Sequence, residues 1–94
     1  MIVDEKMLRA VIKKWGRKPQ IGMLYEEMGE LMTAINQHER GRLTLSHVHE
    51  EIADCLMMLQ QMRWLYGKDG VDKWIEIKTK RLQARIDDPE RDIL

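Results

Sequence analysis

Residues 52–59 read Ile-Ala-Asp-Cys-Leu-Met-Met-Leu, apolar at every position except Asp54. The run lies inside a longer helical pattern, predicted over about residues 47–66 and ending at Gly67. A helix that is apolar on all sides has to be covered on all sides. A chain of 94 residues forms one small domain and has little interior to cover such a helix. The run therefore predicts a helix-mediated homo-oligomer, most simply a symmetric dimer. It also singles out Asp54, because a carboxylate among core residues needs a compensating partner.

The rest of the chain reads as helix too. No run of alternating β-branched residues marks a strand, and the predicted class is all-α, a four-helix, bundle-like fold. A first helix is predicted over about 4–15, with Asp4 as N-cap and Met7, Leu8, Val11, Ile12 and Trp15 on one stripe. Gly16-Arg17-Lys18-Pro19 breaks it. A second helix over about 20–39 carries Leu24, Met28, Leu31 and Ile35 as its core stripe. Gly29, inside this helix, costs about 1 kcal/mol against alanine and suggests close approach of a helix or ligand. Gly41 fits the C-cap region and Ser46 the N-cap of the third helix. A fourth helix over about 71–86, carrying Val71, Trp74, Ile75, Leu82 and Ile86, stops at Asp87-Asp88-Pro89. The final residues read as a tail or an arm onto a partner subunit.

Charge balance narrows the function. Sixteen basic and sixteen acidic residues give a formal net charge of zero, so bulk electrostatics favour neither nucleic acid nor a membrane surface. No apolar run is long enough to span a bilayer, and the N-terminus has no signal-peptide core. A single cysteine, Cys55, fits a reducing cytoplasm and reads as a buried, inert thiol.

Two acidic clusters carry the chemistry. Glu26-Glu27-Met28-Gly29-Glu30 and Glu50-Glu51-Ile52-Ala53-Asp54 both have the form E-E-x-x-(E/D). Carboxylates three apart stack on one helix face. Glu27 is flanked by Leu24 and Leu31 and so borders the core; Glu30 lies beside it. If Glu27, Glu30, Glu51 and Asp54 face one another, each like-charge pair costs roughly 3 kcal/mol at about 5 Å and an effective dielectric near 20. Protons or cations have to join them. Carboxylate ligands with open positions suit Mg²⁺, or Mn²⁺, and accept phosphate oxygens. The residues thus point to metal-dependent hydrolysis of a phosphate ester. A di-iron bundle would want E-x-x-H, and none of His38, His47 and His49 follows a glutamate at that spacing. His47 and His49 read as first-turn histidines of the third helix, exposed or half-exposed. Lys78, Arg81 and Arg85 share a face of the last helix and have the sign to bind an anionic substrate. The competing reading is a non-enzymatic dimerisation or regulatory module whose acidic face binds a basic partner.

The two clusters, taken with Trp15-Gly16 before them, Arg40-Gly41 between them and a basic last helix, resemble the MazG-like all-α nucleoside triphosphate pyrophosphohydrolases. The resemblance spans about residues 15–86 and makes residues 1–94 a single MazG-like domain. It implies Mg²⁺-dependent cleavage of a (d)NTP between the α and β phosphates, giving a nucleoside monophosphate and pyrophosphate. It implies metal ligation by Glu27, Glu30, Glu51 and Asp54, with Glu26 as a group that supports the ligands or orients water. It matches Lys78 and Arg85 to phosphate-contacting positions. It further implies a homodimer or homotetramer and a role in nucleotide-pool housekeeping.

Overall fold

The computed structural model describes residues 3–88, in four helices: α1 (Glu5–Trp15), α2 (Arg17–Glu39), α3 (Leu45–Tyr66) and α4 (Lys68–Ile86). Among the described residues there is no strand, so the all-α class holds. None of the helices is long and apolar enough to cross a membrane. The predicted tail or arm after Asp88 lies outside the described residues.

Helix ends show where local chemistry overrides pattern. Asp4 caps α1 as expected, its Oδ1 accepting from the Met7 N–H at 2.9 Å. Gly16, at φ 92°, is the whole link between α1 and α2. The predicted four-residue break is thus one residue long. Pro19 stands in the first turn of α2, where a missing N–H is harmless. Ser46 is not the cap of α3. The helix starts at Leu45, two residues before the predicted start, and Thr44 Oγ1 accepts from the His47 N–H at 3.3 Å. Gly67, at φ 115°, is likewise the only residue between α3 and α4. Helix α4 begins at Lys68 rather than near 71, because Gly70 is accepted within its first turn.

Contacts divide the described chain into two compact units that part between Trp64 and Leu65. In the first unit α1 packs on α2. The chain ahead of α1 is clamped to α3 by one amide: Val3 N donates to Gln60 Oε1 at 2.9 Å, and Gln60 Nε2 donates back to the Val3 carbonyl. Cys55 Sγ donates to the Glu27 carbonyl at 3.2 Å, tying α3 to α2 at the first acidic cluster. The buried apolar residues are few: Val3, Leu8, Ala34, Val48, Cys55 and Met62.

The expected core stripe of α2 is only half covered. Leu24 and Leu31 are half-buried, whereas Met28 and Ile35 are exposed. The apolar run of α3 behaves similarly. Cys55 is buried and Met58 half-buried, but Ile52, Leu56, Met57 and Leu59 are exposed in the single chain. The physical reason is supply: one antiparallel neighbour and a short α1 cannot surround a helix that is apolar all round. In the second unit α4 has no buried residue, and Trp74, Ile75, Leu82 and Ile86 are exposed.

Candidate metal centre

The carboxylates meet where α2 and α3 lie side by side. Ligand oxygens of Glu27, Glu51 and Asp54 all lie within 4.8 Å of one another. Glu27 comes from α2; Glu51 and Asp54, three apart on α3, point the same way for the reason that made their spacing notable. Glu51 is the deepest, only 7% exposed. Its Oε2 and the Oε2 of Glu27 are buried with no hydrogen-bond partner. Leaving buried charged oxygens unpaired costs several kcal/mol in a folded protein, on the order of a lost ion pair. Such a pair of orphaned atoms beside a third carboxylate is the arrangement a cation would repair.

Glu30 is exposed and stands outside that trio, yet its charge bears on both Glu27 and Glu51. Glu26 is exposed as well. Glu26, Glu30 and Glu51 share the wall of an open groove of about 800 Å³, floored by Gly29 and Ala34 and reaching Leu43. Gly29 has nothing within 4 Å of where a Cβ would stand, so no helix presses on it. Its place is on the groove rather than at a helix crossing.

Burial raises the Glu27 carboxyl above its ordinary value, helped by the charges of Glu30, Asp54 and Glu51 and by a hydrogen bond with Asp54. Glu51 is also raised, first by burial and then by the charges of Glu30 and Asp54, with His47 acting in the opposite direction. Burial likewise pushes the Cys55 thiol up, and the surrounding carboxylates add to it. Cys55 is therefore a poor nucleophile and serves as a buried tie between helices.

These shifts have a sign that can be measured. A carboxyl with a raised native pKa binds more protons folded than unfolded, so its contribution to stability is present at low pH. That contribution is lost as pH rises from the ordinary glutamate value of 4.5 through the raised native value. In chelator, Glu27→Gln should therefore melt higher than the unmodified protein at about pH 7.5, with the difference shrinking toward about pH 5. Melting curves across that range check it, and a difference independent of pH would contradict it.

His47 is exposed, as a first-turn histidine can be, but it has a partner that the sequence reading does not assign. Its Nε2 is 3.6 Å from Glu51 Oε1. The signal was available: residues 47 and 51 are one helical turn apart. His38 takes a different part, its Nδ1 lying 2.8 Å from the Leu43 carbonyl, where it clips the turn between α2 and α3.

No family model, curated protein or solved structure matches this chain. The donor set is all carboxylate oxygen, which suits a hard divalent ion far better than zinc or an iron–sulfur cluster. Lys78, Arg81 and Arg85 lie in the second unit, where they line one shallow recess on α4 and do share a face.

Proposed function

We propose that this protein is a divalent-cation-dependent nucleoside triphosphate pyrophosphohydrolase of MazG-like type. It cleaves a (d)NTP between the α and β phosphates, releasing a nucleoside monophosphate and pyrophosphate, and so serves nucleotide-pool housekeeping. The observation that carries the reading is Glu51: nearly fully buried, with an unpartnered oxygen, and within 4.8 Å of Glu27 and Asp54. Solvated acidic patches do not leave a buried carboxylate oxygen without a partner.

In this reading Glu27, Glu51 and Asp54, with Glu30 beside them, hold Mg²⁺ or Mn²⁺. When bound, the cation neutralises phosphate charge and lowers the pKa of a water. The chain's own residues do the rest. Glu51 and Asp54 fix the site on one rigid helix, and Glu27 closes it from the other. Glu26, on the groove wall, is assigned to orient the attacking water. The groove has room for a polyphosphate tail. Lys78, Arg81 and Arg85, in the second unit, share a face whose charge has the sign for an anionic ligand such as phosphate. The exposed apolar stripes of α2 and α3 fit assembly as a homodimer or homotetramer. A face for a basic protein partner is a poorer account, because the unpaired Oε2 atoms of Glu27 and Glu51 are buried, where a small ion fits better than a lysine or arginine head group.

The test is pyrophosphate release from a panel of ribo- and deoxyribonucleoside triphosphates, with Mg²⁺ and with excess chelator. Release from at least one nucleotide, abolished by chelator, is the expected result. Orthophosphate release instead of pyrophosphate would reject the assigned bond, and no cleavage of any nucleotide would reject the reaction.

A further inference from the structure

We infer that His47 joins the cation held by Glu51 as a nitrogen ligand, and that the centre therefore binds Mn²⁺ in preference to Mg²⁺. This rests on the cation-dependent reading above and deepens it by naming a ligand and a metal preference.

The helix that carries the carboxylates also places the imidazole. His47, Glu51 and Asp54 fall at i, i+4 and i+7 on α3, so they share one stripe. Ligands four apart on a helix can hold one ion, as the two histidines of an H-E-x-x-H helix do. His47 Nε2 stands 3.6 Å from Glu51 Oε1. That is too long for a hydrogen bond. It does suit two ligands of one ion. At bonds of about 2.1 Å, such atoms stand roughly 3 Å apart at right angles and roughly 4 Å apart when opposite. His47 lines the groove together with Glu26, Glu30 and Glu51. It thus approaches Glu51 from the open side, where its side chain, 46% exposed, is free to turn toward an ion.

The two oxygens of Glu51 have different surroundings. Oε2 is buried and unpartnered; Oε1 is the one that the imidazole approaches. The carboxylates of Glu27, Glu51 and Asp54 already gather negative charge at one point. A further carboxylate would add to that repulsion. A neutral imidazole supplies a donor atom without adding charge. It also decides between ions. Carboxylate oxygen suits Mg²⁺ and Mn²⁺ alike, whereas an imidazole nitrogen favours a transition ion. Mg²⁺ prefers oxygen ligands and keeps several waters. The four-carboxylate reading of the sequence leaves this imidazole without a part; ligation gives it one.

Pulsed EPR tests the ligand on the full chain, treated with chelator and then loaded with less than one equivalent of Mn²⁺. The spectrum should carry the coupling of a directly bound imidazole nitrogen. His47→Gln should remove that coupling, and His49→Gln should keep it. His47 is exposed, so glutamine there should not unfold the chain. In parallel titrations His47→Gln should weaken Mn²⁺ binding by about tenfold or more and leave Mg²⁺ binding nearly unchanged. If Mn²⁺ binds without nitrogen coupling, if the coupling survives in His47→Gln, or if that variant weakens both ions alike, His47 is not a ligand while the carboxylate centre stands. If no Mn²⁺ binds at all, the carboxylate centre fails and takes His47 with it.

Discussion

Glu51→Gln is expected to lower nucleotide turnover by about 100-fold or more and to raise the melting temperature of the metal-free protein. The two effects run in opposite directions for one reason. Glu51 is the buried member of a group of carboxylates that repel one another, and its Oε2 has no partner. Removing its charge relieves the folded chain. The same change strips the centre of its most deeply buried carboxylate. Glu27→Gln should behave alike, since its Oε2 is also orphaned and its carboxyl is raised by burial and by the same neighbours. A variant that lost stability together with activity would mean that Glu51 is a packing residue, and the centre would have to be reassigned. Steady-state rates and melting curves on one preparation separate the cases.

Leu56→Glu is expected to convert the proposed homo-oligomer into a monomer, weakening self-association by about 100-fold or more. Ile52, Leu56 and Leu59 recur at i, i+4 and i+7 along α3, and all three are exposed in the single chain. On α2, Tyr25, Met28, Met32 and Ile35 form another exposed apolar stripe. Contiguous apolar surface of this kind marks an interaction site. Leu56 is 46% exposed, so a glutamate there removes little from the core of one chain. It would instead bury a charge at the contact between copies. Sedimentation reads the result directly. The unmodified protein should run as a dimer or larger at micromolar concentration, with a melting temperature that rises with concentration. An unmodified protein that sediments as a monomer, with Leu56→Glu indistinguishable from it, would remove the oligomer from the account.

Much of the fold could be read from the sequence because helices announce themselves by period and by caps. Asp4 before an apolar stripe, and Gly41 and Gly67 after two others, set three helix ends close to where they lie. The N-terminal ends of α2, α3 and α4 were harder. Pro19 and Gly70 look like breakers, yet both are tolerated in a first turn, and Thr44 competes with Ser46 as a cap on equal chemical terms. Period also gave the direction of Glu51 and Asp54, since residues three apart on α3 have to share a face. It did not say which carboxylate would be deepest. That depends on how closely α2 approaches α3, a tertiary property fixed in part by the Cys55 contact with the Glu27 carbonyl. Glu30 shows the same limit: its spacing from Glu27 is right, but its side chain stays exposed. Gln60 and Gln61 were invisible for another reason. A glutamine in a helix is normally a surface residue, and nothing in its neighbours tells that one clamps Val3 and the other is buried with an unpaired oxygen.

Titration of Mn²⁺ into the chelator-treated protein tests, without any substrate, whether a divalent cation binds where α2 and α3 bring their carboxylates together. The unmodified protein should take up Mn²⁺, with Mg²⁺ competing for it, and Glu51→Gln should lose that uptake. Uptake that survives intact in both Glu51→Gln and Glu27→Gln, or no uptake by the unmodified protein, would contradict the assignment.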